Sequence, residues 1–190
     1  LAQLRTAYRR SREDHIDAFR ADRDPDRLTR RMSASTDVAV RGIWQAMDIP
    51  GTALLAAVGG YGRCETYPHS DVDLLVLTPD AVTPEQAQAF ERFVGACWDL
   101  GLPIGHSVRS LAECLSEAAG DITIQTSAME ARFLAGSRTL FSDLVARLAE
   151  GRDPGAFFQA KMLEMRQRHV KFEDTPYSLE PNVKESPGGL

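Results

Sequence analysis

The sequence predicts an α+β fold, a small mixed β-sheet flanked by helices with helical extensions at both ends. Three observations carry that expectation. Short apolar runs at Ala53–Val58 and Leu74–Leu77 have the length and bounds of buried strands. A glycine cluster, Gly59-Gly60-Tyr61-Gly62, sits between them. Around them lie longer stretches with apolar residues at helical spacing and recognisable caps.

Taken in order, Leu1 to Phe19 and roughly Asp26 to Met47 mix charged and apolar residues in helical patterns, with Asp24-Pro25 marking the break. Ala53 to Val58 reads as a strand, and the glycines after it let the backbone turn sharply and approach a ligand closely. A short helix and the strand headed by Asp71-Val72-Asp73 follow. Thr83-Pro84-Glu85-Gln86 has the form of a capping box with proline in the first turn, opening a helix that Gly101 closes. Phe90, Phe93, Val94 and Trp98 recur at helical spacing in it and are expected in the core. Pro103 to Arg109 is assigned as a later strand, and Ser110-Leu111-Ala112-Glu113 is a second capping box. Gly120 and Gly136 are expected to punctuate two helical stretches, and Asp153-Pro154 to begin a last long helix towards Phe172. Lys161, Glu164, Arg166, Arg168 and Lys171 read as its solvated face. Thr175 to Leu190, with three prolines and two glycines, reads as an ordered loop or the start of a linker.

Composition narrows the function classes. With 190 residues, 43% of them hydrophobic, the chain is long enough to bury a core of its own. No segment reaches the length of a membrane span, and no apolar stretch follows the early arginines as a secretory signal requires. A net charge of −5 argues against a broad nucleic-acid footprint. Cys64, Cys97 and Cys114 are scattered and odd in number, as expected for reduced thiols in the cytoplasm. His15, His69, His106 and His169 show no zinc-ligand spacing.

The chemistry concentrates in two places. Backbone N–H groups of the glycine turn, with the positive end of the helix that follows, would form an anion cradle, and Arg63 adds a forked donor for phosphate oxygens. Eight residues after Arg63 comes Asp71. On a strand, Asp71 and Asp73 would face the same way with Cα atoms roughly 6–7 Å apart. Two such carboxylates about 5 Å apart repel by roughly 3 kcal/mol at an effective dielectric of 20, which a divalent cation removes. Magnesium suits an all-oxygen site completed by substrate phosphates. Turn and carboxylates together would bring a nucleoside triphosphate to two metals, the arrangement that stabilises attacking and leaving oxygens in in-line displacement at phosphorus. Separately, a glycine turn or an Asp-x-Asp pair is a weak signal; their order and spacing make the combination specific.

Gly59-Gly60-Tyr61-Gly62-Arg63 followed by Pro68-His69-Ser70-Asp71-Val72-Asp73-Leu74-Leu75 resembles the signature of the DNA polymerase β-like nucleotidyltransferases, in the form carried by bacterial PII uridylyltransferases. The likeness continues through Gly105-His106-Ser107-Val108-Arg109, Met129-Glu130-Ala131-Arg132, Arg168-His169 and Leu179 to Leu190. The resemblance implies a polymerase-β-like fold and transfer of UMP from UTP to a tyrosine of the PII signalling protein, releasing pyrophosphate. By motif match, Asp71 and Asp73 would be the catalytic, magnesium-holding residues, and Gly59, Gly60, Gly62 and Arg63 would bind the triphosphate. It also implies downstream hydrolase and glutamine-sensing domains; the chain has no His-Asp dipeptide of a hydrolase module and reads as an excised catalytic domain. Residues 1–50 are expected as a helical segment packing on the core, 51–150 as the nucleotidyltransferase core, and 151–190 as a helix and loop leading onward.

Three departures from that pattern stand out. Gly60 replaces the serine found in many relatives, and Cys64, expected in the opening turn of a helix, stands where the motif usually has glycine. The strand Pro103 to Arg109 has no third carboxylate, which leaves His106 or Glu130 as candidate base or orienting group. Adenylylation of PII by the same mechanism, or a nucleotide-sensing or docking module without turnover, are the alternatives.

Overall fold

The computed structural model describes residues 1–151, 153–175, 177 and 187. The Leu179 to Leu190 motif therefore lies outside the described residues, Pro187 apart. Two helices come first, α1 (Ala2–Asp22) and α2 (Pro25–Ala46). Asp24 caps α2 by accepting from the Arg27 N–H, and Pro25 occupies its first turn, where a missing N–H costs nothing. Then follow β1 (Leu54–Ala57), the single-turn helix α3 (Gly59–Gly62) and β2 (Val72–Thr78). Next come α4 (Pro84–Leu100), β3 (Ile104–Ser110), α5 (Leu111–Gly120), α6 (Ile122–Met129) and β4 (Arg132–Gly136). The last described elements are α7 (Arg138–Glu150) and α8 (Pro154–Lys171).

The strands form one mixed sheet in the order β3-β2-β1-β4. β1 pairs antiparallel with β2 and β4, while β2 and β3 run parallel, joined by the α4 crossover. The α+β architecture expected from the sequence, a small mixed sheet among helices, is the one observed.

Alternation along the strands divides the core in two. Val72, Leu74 and Val76 face α2 and α4, meeting Val40, Ile43, Trp44, Phe90 and Phe93. Leu75 and Leu77, with Leu54, Ala56 and Val58, face the other way and meet Cys114 of α5 and Leu140 and Leu144 of α7. Period-2 alternation therefore yields two apolar faces, because helices cover the sheet on both sides. Trp44 packs edge-on to Phe93 with ring centroids 5.3 Å apart.

Both predicted capping boxes are present. Thr83 and Gln86 exchange hydrogen bonds at the start of α4, as do Ser110 and Glu113 at the start of α5. The bonds that Ser110 donates hold the Glu113 carboxyl below its usual pKa. Gly101 ends α4 at φ 91, a left-handed position suited to glycine. Cys97 and Cys114 are buried free thiols on α4 and α5, and burial pushes Cys97 up to about 12.

Two expectations fail. The stretch ending at Gly136 is not wholly helical: Arg132–Gly136 is the edge strand β4, and Gly136, at φ 85, closes it. A Cβ there would come 2.1 Å from the Ala53 carbonyl oxygen, so this glycine permits a close approach of two backbones. Trp98 is not core but 56% exposed, because α4 turns that side towards the open edge of the sheet beside β3. Among the described residues no helix is long and apolar enough to cross a membrane.

Burial separates these aromatic positions energetically. Phe93→Ala should cost about 3–5 kcal/mol in urea unfolding, whereas Trp98→Ala should cost less than about 1 kcal/mol.

Candidate active site

The site begins where β1 ends. Val58 donates its N–H to the Asp73 carbonyl at 3.1 Å, and the chain then turns through Gly59 at φ 58 into α3. Only glycine enters that conformation without penalty. Arg63 N–H bonds back to Gly59 and Glu65 N–H to Gly60, closing the turn, while the N–H groups of Gly59, Gly60 and Tyr61 precede the first helical bonds and have no partner within the helix. Because α3 is four residues long, its dipole is small, and an anion at the turn would be held by those amides rather than by the helix.

Asp73 sits on β2 facing this turn. A Cβ on Gly59 would lie 3.3 Å from Asp73 Oδ2, and one on Gly105, its partner in β3, only 2.5 Å from Oδ1. The carboxylate thus occupies a slot between two glycines that any larger residue would close. The absence of a carboxylate at position 105 has the same cause, since there is no room for a side chain there. Asp71 is exposed and stands one residue before β2. The two residues expected to hold metal offer oxygen donors only, a chemistry that suits magnesium, which would take the rest of its coordination from water and phosphate. Among the described residues no group of three His, Cys, Asp or Glu side chains gathers as a metal cluster.

Arg63 folds over the turn, with Nη2 3.8 Å from where a Gly60 Cβ would stand. Glu65 binds its Nε at 2.7 Å and Glu130 its Nη1 at 2.7 Å, and these bonds raise its pKa. Gly62 points inward: its N–H goes to Val58, and a Cβ would come 2.3 Å from the Glu130 carbonyl oxygen. Packing alone accounts for glycine there.

Of the two candidate bases, Glu130 is brought to the turn through Arg63, while His106 is not. His106 and Val108 project from β3 towards α4, whereas Ser107 and Arg109 share the opposite face with Asp73. Alternation places His106 on the wrong side of the sheet. Cys64 is also displaced from its expected setting. It follows α3 rather than opening a helix, and its φ of 62 is left-handed. That conformation explains why glycine suits this position.

Sequence reasoning missed the residues that hold the turn. Asp37 of α2 is buried and receives Arg132 Nη1 at 2.7 Å, Arg132 Nη2 at 3.0 Å and the Tyr61 hydroxyl at 2.7 Å; Arg41 Nη2 lies 3.1 Å away. Arg132 also donates to the carbonyls of Tyr61 and Gly62. Burial, then Asp37, raises the Tyr61 pKa, so its phenol remains a donor. Burial opposes the Arg132 charge, but Asp37 outweighs it. The loop to Asp71 is tied down as well, by Ser33 to Thr66 at 3.0 Å and by Arg12 to the Pro68 carbonyl. The pairing of Met129-Glu130-Ala131-Arg132 with the glycine motif was the only trace of this in the sequence.

Removing Arg132 leaves the Asp37 charge partly uncompensated, so Arg132→Met should cost about 3 kcal/mol in urea unfolding. Cys64→Gly should be neutral or stabilising by up to about 1 kcal/mol in the same measurement, and Cys64→Val destabilising, because a β-branched residue resists a left-handed backbone.

A family described as GlnD PII-uridylyltransferase matches residues 156–190. The chain is 52% identical, over 183 residues and 96% of its length, to the bifunctional uridylyltransferase/uridylyl-removing enzyme of Burkholderia pseudomallei (strain K96243). It is equally similar to that of Burkholderia mallei (strain SAVP1). It spans 21% of the length of both. Among solved structures, a toxin–antitoxin with AMP-PNP aligns at TM-score 0.39 and 14% identity, covering 73% of this chain and 96% of that one. The tri-AMPylated Shewanella oneidensis HEPN toxin in complex with MNT antitoxin aligns at TM-score 0.39 and 14% identity, over 75% and 98%. The resemblance read from the motifs, to PII uridylyltransferases, is thus shown along nearly the whole chain.

Proposed function

We propose that this chain, which aligns along almost its full length with one part of the bifunctional uridylyltransferase/uridylyl-removing enzymes, is the part that transfers UMP from UTP to a tyrosine of PII. The observation that carries this reading is the Asp73 carboxylate held between Gly59 and Gly105, directly against the glycine turn. Gly59, Gly60 and Arg63 lie against the triphosphate, Glu130 aims the Arg63 guanidinium over Gly60, and Gly62 lets α3 pack on the Glu130 carbonyl. Asp71 and Asp73 would hold magnesium, which would supply neutralisation of the negative charge on the phosphates.

The chain's own contribution is positioning. Its turn amides and Arg63 orient the triphosphate so that the tyrosine oxygen approaches the α-phosphorus opposite the leaving oxygen. The Asp37, Tyr61 and Arg132 network keeps those amides in place while they bind charge. Residues 1–50 buttress the turn through α2, 51–150 form the catalytic core, and 151–190 lead towards the remaining domains of the longer enzyme, those for hydrolysis and glutamine sensing. The setting is cytoplasmic.

Mg-dependent transfer of labelled UMP to PII tests this reading. Asp73→Asn should lower the rate roughly a hundredfold or more, and chelation of the metal should abolish it. Gly105→Ala should lower it as well, since the added methyl displaces the carboxylate. Label retained by Asp73→Asn at the wild-type rate would refute metal catalysis by this residue. Labelled ATP in the same assay distinguishes adenylylation, and UTP binding without transfer would indicate the sensing module.

A further inference from the structure

A cavity of about 200 Å³ adjoins the site on the same face of the sheet as Asp73. Its floor is Leu75 of β2 and Ser107 of β3, and its walls are Val58, Arg109 and, from α6, Ser127. Along β2 and β3 the paired rows on this face are Asp73 with Gly105, Leu75 with Ser107, and Leu77 with Arg109. The cavity therefore begins one row beyond the carboxylate, roughly 6–7 Å along the strands. At its other edge stands Val58, the residue that opens the glycine turn. The cavity thus meets both halves of the phosphate site, at the separation a ribose would bridge.

Its size and chemistry suit one ring. Sites that enclose whole drug-sized ligands start near 300 Å³, so this one admits a nucleobase while sugar and phosphates remain outside. Val58, Leu75 and Ala128 offer apolar faces to a flat ring. Ser107 and Ser127 bring two hydroxyls to the cavity lining. Arg109 is held from one side by Glu117, with Nη2 2.9 Å from the carboxylate, which fixes a group that can only donate. A pure donor placed at the 4-position pairs with the O4 carbonyl of a pyrimidine-dione and is mismatched to the 4-amino group of cytosine or the 6-amino group of adenine. The O2 carbonyl, which cytosine shares, would give no discrimination.

Resting on the UMP-transfer reading, we propose that this cavity receives the uracil ring of UTP, with Arg109 donating to the uracil O4 and selecting against amino-bearing bases. The test is calorimetric binding of Mg–UTP, Mg–CTP and Mg–ATP to the protein and to two variants. Arg109→Leu removes the donor, and Ser127→Leu fills the cavity from α6 while the Arg109 donor is retained. Both should weaken UTP binding roughly tenfold or more, Arg109→Leu should erase the preference for UTP over CTP, and melting temperatures should report that both variants remain folded. UTP affinities within twofold of wild type in both folded variants overturn the assignment and leave the transferase reading standing. A wild-type protein that binds none of the three nucleotides overturns both.

Discussion

Everything at the site is referred to the charge on Asp37. A buried carboxylate is stable only when its oxygens are satisfied, and here two arginines and a phenol converge on it. Because Tyr61 belongs to the glycine turn, Arg132 to β4 and Asp37 to α2, satisfying that one charge fixes three elements relative to each other. Arg132 extends the constraint by binding the Tyr61 and Gly62 carbonyls directly. A turn rich in glycine is intrinsically soft, and it holds phosphate in one geometry only if something outside it removes that freedom.

The sheet supplies the second constraint, which is polarity by alternation. On β2 the even positions pack beneath α2 and α4, and the odd positions run from Asp73 to Leu75 and Leu77 beneath α5 and α7. A single charged residue at the start of the odd row is tolerated because its row ends at the glycine turn rather than under a helix. The glycines facing it, 59 and 105, come from different elements and serve the same purpose of leaving room for the carboxylate. The glycine turn, Asp73 and the cavity beside α6 then lie on one face of the sheet, with the groove of Trp98 and His106 on the other.

Much of this was legible in the sequence because it is local. The capping boxes at Thr83 and Ser110, the stop at Gly101, and the strand–turn–Asp-x-Asp order each depend on residues within one turn or one strand of each other. The helical reading of the segment before Gly136 failed because Arg132–Gly136 becomes a strand by pairing with β1, a partner far away in sequence. Trp98 was misplaced because helical spacing reveals a stripe but not where the sheet beneath it ends. His106 was a reasonable base on chemistry alone; the parity of β3 relative to β2 removes it.

The sequence alone determined the chemistry available, namely two acids after a glycine turn with an arginine beside it, since motif order and backbone preference are written in consecutive residues. Tertiary structure alone decided which of those groups meet. Asp37 and Arg132 are 95 residues apart, and the pairing of Asp73 with Gly105 depends on the register of two parallel strands joined by a helix. Such contacts follow from packing two apolar faces and satisfying one buried charge together, conditions that no local stretch of chain contains.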